Sequence, residues 1–389
     1  MQLLEVTNSR SRQEFLDFPA RLYKNEKNWI RPLDNDIEAV FDPKKNNNFE
    51  KGEAIRWLLV NDKNETIGRV AAFVNESTRN ASDFPVGGMG FFECIHDQEA
   101  AFALFDACKK WLEARGVEAM DGPINFGERD KWWGLLVDGF TEPNYGMFYH
   151  MPYYQAFFEN YGFQVYFKQY TYWRSTREDL TPAIRERIAR AMQMPGYTFS
   201  HAEKNNPEKL AYDFFTVYTK AWASHTGISR MTMEKARAIV KAMKPIMDER
   251  LIWFGYHNGE PISFFVMLPE LNQIFKHLNG KLDLIGKLKF LWYKFKLKGK
   301  METKKTFGII FGVVPEHQGK GVETVMIGTT QDMVTKLGYT DIEMNWIGDF
   351  NPKMMAVTRL LGSTIIKTHI TYRKLFDENR PFERYPIIK

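Results

Sequence analysis

Residues 306–328 read TFGIIFGVVPEHQGKGVETVMIG, which has the layout of a buried strand, a glycine-containing loop and the first turns of a helix. From Phe307 to Val314 the run is apolar and rich in β-branched and aromatic side chains, as expected of a central strand covered on both faces. Pro315 ends the ladder because it has no N–H to donate. Beyond Gln318, Gly319 and Gly321 the pattern turns helical, with Val322, Val325, Met326, Met333 and Leu337 on one side. A helix entered through glycines leaves backbone N–H groups free at its start, where they favour an anion.

The segment Gln318-Gly319-Lys320-Gly321-Val322-Glu323, with Val-x-Pro-Glu before it, resembles the Gln/Arg-x-x-Gly-x-Gly/Ala loop of the GNAT superfamily of acyl-CoA N-acyltransferases. The resemblance implies that Val313, Val314, Gln318, Gly319, Lys320, Gly321 and Val322 hold the co-substrate, acetyl-CoA or another acyl-CoA, and that no metal takes part. The sequence departs from the pattern at Glu323, where a small residue is usual. A carboxylate there repels a diphosphate, so Glu323 is expected to point away from the loop.

The composition, 44% hydrophobic and 26% charged over 389 residues, is that of a globular chain of two or three domains. No apolar run approaches the ~18 residues of a membrane span, and the N-terminal MQLLEVTNSRSRQEFL lacks a signal-peptide layout, so a cytoplasmic protein is expected. Cys94 and Cys108 read as buried reduced thiols rather than a disulfide or a nucleophile. The histidines have no metal-ligand spacing, and neither a Gly-x-Ser-x-Gly elbow nor a P-loop is present. His317 adjoins the loop, either exposed or touching phosphate.

The element order is helices over 5–22 and 35–41, strands over 55–60, 66–74 and 89–95, a helix over 97–115, and a strand over 164–173. After a linking helix at 177–195 the order repeats: helices over 207–224 and 232–247, strands over 251–257 and 261–268, the opening strand and helix, a strand over 341–346, a helix over 351–361 and a last strand over 364–374. Two tandem copies are the economical reading. The expectation is an α/β protein of two GNAT-like domains, each a mixed central sheet flanked by helices. The N-terminal domain is 1–176 and the C-terminal domain 196–376, with a tail at 377–389. The first copy carries His96-Asp97-Gln98-Glu99 where the second has its glycine loop. Carboxylates there cap the helix and disfavour a phosphate, so the N-terminal copy has no cofactor loop. The Gly-, Pro- and aromatic-rich stretch at 122–154 reads either as a wall of an acceptor pocket or as a core edge.

An insertion at 269–305 interrupts the second copy. Residues 281–305 contain nine lysines against Asp283 and Glu302, so the positive charge of the chain resides in this segment. Leu284, Leu288, Leu291 and Phe295 form a helical stripe, with Lys287, Lys294 and Lys298 along one edge and Lys289, Lys296 and Lys300 on the far side. The two readings are peripheral membrane contact through 281–300, on the inner membrane face, and a helix packed on its own domain with solvated lysines. RNA contact is a weaker third reading, and nucleic acid is not an expected partner.

The resemblance implies acyl transfer from a thioester to an amine acceptor of unspecified identity, bound between the domains, with an acetyl group as the superfamily default. The alternatives are long-chain transfer to a lipid amine at a membrane surface and non-catalytic binding of acyl-CoA or another ligand. Carbonyl polarisation falls to a backbone N–H near Val313. Glu343 and Asn345, two apart on one face of a strand, supply the candidate base. Asn351 matches the helix-start asparagine of the family or serves as an N-cap. The family's acid tyrosine is here Thr358, a poor proton donor, so water, Tyr372 or a residue of the N-terminal domain takes that role.

Overall fold

The computed structural model describes residues 1–221, 231–297 and 304–388. In chain order the strands are β1 (Gln2–Glu5), β2 (Gly52–Val60), β3 (Thr66–Asn75), β4 (Val86–Cys94), β5 (Ala119–Gly122), β6 (Leu135–Asp138), β7 (Gln164–Ser175), β8 (Tyr197–His201), β9 (Ile252–His257), β10 (Glu260–Pro269), β11 (Lys305–Val313), β12 (Asp341–Gly348) and β13 (Thr364–Leu375). The helices are α1 (Ser9–Leu22), α2 (Asp34–Val40), α3 (Gln98–Glu113), α4 (Tyr154–Asn160), α5 (Pro182–Met192), α6 (Pro207–Ala221), α7 (Met233–Met243), α8 (Asn272–Phe275), α9 (Leu284–Leu297), α10 (Val322–Lys336) and α11 (Pro352–Leu360). The residues 222–224 expected to end a helix, and Lys298 and Lys300 of the basic insertion, lie outside the described residues.

The strands form one mixed sheet in the order β1-β2-β3-β4-β5-β13-β7-β12-β11-β10-β9-β8, with β6 pairing β13. Its two halves repeat the same plan. Antiparallel β2, β3 and β4 lead to a parallel β4–β5 pair, and antiparallel β9, β10 and β11 lead to a parallel β11–β12 pair. This is the expected α/β fold of tandem GNAT-like units with helices on the sheet faces. Sequence order does not reveal how the halves join. β7, late in the first copy, pairs with β12 of the second, and β13 at the end of the second pairs with β5 of the first. Each exchanged strand carries an arginine that binds in the other half. Arg174 of β7 donates to the Gln331 side chain at 2.9 Å, and Arg373 of β13 pairs with Asp121 at 2.6 Å. These arginines are buried and fully engaged, so they fix the register of the exchange as well as its hand-over point.

Several elements went unread in the sequence. β1 occupies the start of an expected helix because exposed Gln2–Glu5 adds an edge strand to β2. β8 adds the opposite edge beside β9. Both are short, of four and five residues, so neither is long enough for a periodic pattern to stand out in sequence. Cys94 and Cys108 are buried and free, and burial raises both thiols well above their usual range. The second half packs α6 and α7 on one face of its sheet, around Leu210, Val217, Phe264 and Phe307. α10 covers the other face, around Val313, Val322 and Met326.

Candidate functional site

The strand β11 and the helix α10 meet in a loop whose shape comes from its two glycines. Gly319 and Gly321 have φ of +71° and +87°, a conformation that costs other residues roughly 1–2 kcal/mol. Gly321 is the N-cap of α10, and no side chain caps the helix. Gln318 folds back, donating Nε2 to the Val313 carbonyl at 2.9 Å. Lys320 is exposed at the tip of the loop. Glu323 does not point away as expected: its Oε1 accepts the Gly319 N–H at 3.2 Å. A helix start attracts any nearby carboxylate, including its own.

The parallel pairing of β11 and β12 runs from Lys305 opposite Asp341 to Gly308 opposite Met344 and then stops. Beyond it, residues 309–313 and 345–348 are not paired with each other, and Ile309, Ile310, Phe311, Met344, Asn345 and Trp346 are half-buried along this unpaired gap. A register shift between Val266 and Met267 of β10 leaves Ile309 unpaired on the β11 side, which bends that strand at the divergence. Val314 N–H donates to the Ile262 carbonyl at 2.9 Å, so this amide is engaged within the sheet. Because N–H directions alternate along a strand, Val313 and Phe311 turn their N–H groups toward β12, into the gap.

At the closed end of the gap lies a buried polar cluster. Glu343 of β12 is 1% exposed, and its carboxylate pairs with Lys305 at 2.9 Å and with Lys367 of β13 at 3.2 Å. Burial alone would raise its pKa, but the two ammonium groups outweigh this and hold it below the usual carboxylate range. Glu270, just past β10, is also buried. Its Oε1 accepts the N–H groups of Tyr145 at 2.9 Å and Asn272 at 2.8 Å, whereas Oε2 has no partner. Burial pushes its pKa up to about 8, against the hydrogen bonds from the Asn272 and Tyr145 N–H groups; the Glu343 charge adds to the rise and Lys305 opposes it less. The two carboxylates are linked by a segment from the N-terminal half. Asn144 donates to the Asn345 side chain at 2.9 Å, the next residue holds Glu270, and Tyr145 donates its hydroxyl to Asp36 at 2.6 Å.

Glu343 thus lies opposite Phe307 within the paired stretch, Asn345 is the first residue of β12 beyond it, and Val313 ends β11 ahead of the loop of Gln318, Gly319, Lys320, Gly321 and Val322. The buried Val322 side chain belongs to the core, leaving only its backbone at the helix start. Tyr372 is a correction: it lies in the core of the N-terminal half with Phe158, and its hydroxyl donates to Glu159 at 3.0 Å. The strand exchange moved it there. Thr358 is fully buried and donates to its own helix at Met355. Asn351 caps α11, accepting the Met354 N–H at 3.1 Å. His317 faces Tyr197, with its Nδ1 2.7 Å from the hydroxyl, beside a cleft of about 440 Å³ at the mouth of the loop.

Sequence reasoning missed Glu270, Lys305, Lys367, Asn144 and Tyr145. Glu270 had one signal, a lone acid directly after the apolar run of β10. Lys367 had a similar one, a lysine among the residues of an otherwise buried strand. The stretch at 122–154 proves to be divided: Phe126, Trp132, Trp133 and Phe148 are core, while Asn144 and Tyr145 face the second half. Among the described residues no cluster of His, Cys, Asp and Glu could hold a metal ion.

No protein-family model matches the chain. It is 26% identical over 377 residues to a bacterial ceramide synthase from Caulobacter vibrioides (strain NA1000 / CB15N), covering 96% of this chain and 97% of that one. It is 24% identical over 376 residues to protein YghO from Escherichia coli (strain K12), covering 94% of this chain and 93% of the other. Among solved structures, a tandem GNAT protein from the clavulanic acid biosynthesis pathway superposes with a TM-score of 0.55 at 11% identity, over 97% of this chain and 99% of that one. A GCN5-related glucosamine N-acetyltransferase region of a fungal multi-domain GH3 β-N-acetylglucosaminidase gives a TM-score of 0.58 at 12% identity, over 96% of this chain and 38% of that longer one. The chain has a tandem GNAT fold.

Proposed function

We propose that the protein transfers a long acyl chain from an acyl-CoA thioester to the amine of a lipid acceptor, with the chemistry in its C-terminal half. One observation carries this reading: the pairing of β11 and β12 stops at Gly308 and Met344, β11 leads into a glycine loop at a helix N-terminus, and buried Glu270, bonded to Lys305 at the start of β11, has an oxygen without a partner. Acyl-CoA bound there has its diphosphate at the loop and its thioester in the gap. The Phe311 and Val313 N–H groups then face the carbonyl oxygen, and one such fixed donor contributes about 3 kcal/mol to the transition state.

Glu270 is the better placed base of the two carboxylates. Two lysines hold Glu343 ionised and weaken it as a proton acceptor, whereas Glu270 has a free oxygen and a pKa matched to amine deprotonation. In the step, Glu270 accepts a proton from the attacking ammonium and releases it to water, the neutral nitrogen bonds to the carbonyl carbon, and the nitrogen gives its second proton to Glu270 as the C–S bond breaks. The thiolate leaves with the electron pair and takes that proton from Glu270, so the products are the amide, the thiol and one proton released to water. Glu343 with Lys305 and Lys367 balances the local charge. The lipid acceptor is supported by similarity along nearly the whole chain to a protein named a ceramide synthase, since a ceramide is the amide of a long-chain amine.

The test is acyl transfer by the purified protein, with acetyl-CoA or palmitoyl-CoA as donor and a sphingoid base or a short soluble amine as acceptor, followed by thiol release and product mass. Amine-dependent thiol release favouring palmitoyl-CoA and the sphingoid base is expected. Preference for acetyl-CoA and the soluble amine would return the protein to ordinary acetyl transfer. Binding of acyl-CoA without turnover would favour a second reading, a non-catalytic binding protein. That reading draws on Glu323, which occupies an N–H of the anion loop.

A further inference from the structure

The helix α9 presents two opposite faces. Gly286 and Leu297 are buried, and Phe290 and Tyr293 pack with them on the cluster of Leu271, Ile274, Phe275 and Leu278. On the other side Leu284, Ile285, Leu288, Leu291, Trp292 and Phe295 stand in solvent, with Leu284 76% and Phe295 75% exposed. No other segment among the described residues exposes large apolar side chains in such a group. At 3.6 residues per turn these six fall within an arc of about 120°. Lys287 and Lys294 border one edge of the arc, and Lys289 and Lys296 border the other. The helix itself contains no acid. The packed-helix reading of the sequence is thus half right: the helix does pack on its own half, but by the face opposite the leucine stripe.

An exposed apolar patch this dense calls for a covering surface. A protein partner or a second copy would meet an apolar stripe hemmed by lysines on both sides, and the described part of the insertion offers no carboxylate along the helix to complement a copy of itself. A bilayer bearing anionic headgroups matches both features: acyl chains accept the stripe, and phosphates accept the exposed ammonium groups of Lys287, Lys289 and Lys296, while Lys294 donates to the Pro245 carbonyl. No helix among the described residues is long and apolar enough to cross a membrane, so the contact lies in the interface plane.

From these features we infer that α9 docks the protein on an anionic lipid surface, inserting the stripe from Leu284 to Phe295 with its lysines at the headgroups. The inference rests on the proposed lipid acceptor and deepens it, because α9 sits close to the reactive cluster. Its Phe290 ring lies 6.0 Å from that of Phe275, which lies 5.2 Å from that of Tyr145, whose backbone N–H holds Glu270. An acceptor taken from the bilayer would enter beside the carboxylate that activates it.

Co-sedimentation with vesicles of phosphatidylcholine alone, or of an equal mixture with phosphatidylglycerol, tests the docking. The parent protein should pellet with the mixed vesicles. Leu288→Ser with Phe295→Ser, both on the exposed face, should lower that partitioning by about tenfold or more, and Lys287→Glu with Lys289→Glu should remove the preference for anionic over neutral vesicles. All variants should bind CoA like the parent in calorimetry, which shows that they are folded. A parent that stays in the supernatant with both vesicles, or serine variants that pellet equally well, would overturn the inference. So would a vesicle-free dimer that the serine substitutions dissociate, because the face would then be covered by a second copy. The acyl-transfer reading stands or falls separately, on turnover of acyl-CoA with a soluble amine and no bilayer, which the serine variants should retain.

Discussion

The two halves share a plan and differ at the same junction. In the N-terminal half β4 runs into α3 through Asp97, whose Oδ1 accepts the N–H groups of Glu99 at 2.9 Å and Ala100 at 3.3 Å. In the C-terminal half β11 runs into α10 through Gly321, which has no side chain to cap with. The gap beside the junction differs as well. Beyond the β4–β5 pair the chain itself approaches closely: a Cβ on Gly90 would lie 1.8 Å from the Ile124 carbonyl oxygen, and Phe91, Trp132 and Phe148 leave only a small cavity of about 30 Å³ beside Glu93. Beyond the β11–β12 pair, residues 309–313 and 345–348 are not paired with each other. One repeat is therefore capped by its own aspartate, while the other leaves unpaired strand donors, an uncapped helix start and a carboxylate oxygen without a partner. Local capping and packing, rather than the fold, decide which copy can work.

The largest test sets the buried carboxylates of the two halves against each other. Glu93 in the N-terminal half accepts from Tyr23 at 2.5 Å and Tyr154 at 3.3 Å and lies 3.6 Å from Arg69, whereas Glu270 has an oxygen to spare. Glu270→Gln should lower turnover by about 10²-fold or more, and Glu93→Gln should leave it within about twofold of the parent while altering stability. The reverse ranking in a steady-state assay would break the comparison.

The pH profile sharpens it. With its pKa raised to about 8, Glu270 must lose its proton to act as a base, so the rate should rise with pH through about 8 and flatten above. Glu270→Gln should lose that limb. The stability change has the opposite sense. A free Glu titrates near about 4.3, so between that pH and about 8 the unfolded chain binds fewer protons than the folded one. Glu270 therefore draws stability down as pH rises through this interval. Melting at pH 9 should show Glu270→Gln the more stable of the two.

Smaller effects are expected at the loop. Lys320→Glu should weaken CoA binding by about tenfold through charge reversal at an exposed site. Glu323→Ala should strengthen it by about threefold, by freeing the Gly319 N–H and removing a charge from the helix start. Calorimetry separates the two, and weaker binding in Glu323→Ala would make its carboxylate a support of the loop rather than a competitor. Smallest of all, Asp97→Ala should cost about 1 kcal/mol in urea unfolding without changing CoA affinity, because the junction it caps holds no ligand.

The regions that were readable in sequence are those governed by neighbours in the chain. The apolar run of β11, the glycines at 319 and 321 and the aspartate cap of α3 state their roles through spacing and turn chemistry alone. The two-sided pattern of α9 was equally visible, though not which side faced solvent: both faces are apolar, and only the packing of Phe290 and Tyr293 on Phe275 and Leu278 chooses. Glu343 was found because it lies two residues from Asn345 on a recognisable strand. Its two lysines were not, because Lys305 and Lys367 are 38 and 24 residues away in sequence.

By itself the sequence determined the doubled α/β plan, the empty glycine junction in one copy and the filled junction in the other, because each follows from contacts within a few residues. The tertiary structure decided the exchange of β7 and β13, the removal of Tyr372 to the opposite half, the turn of Glu323 toward Gly319 and the isolation of the Glu270 oxygen. Strand partners are chosen by pairing across the whole sheet, and a carboxylate's proton affinity by what burial places around it; both depend on groups that are distant in the chain and meet only when it is folded.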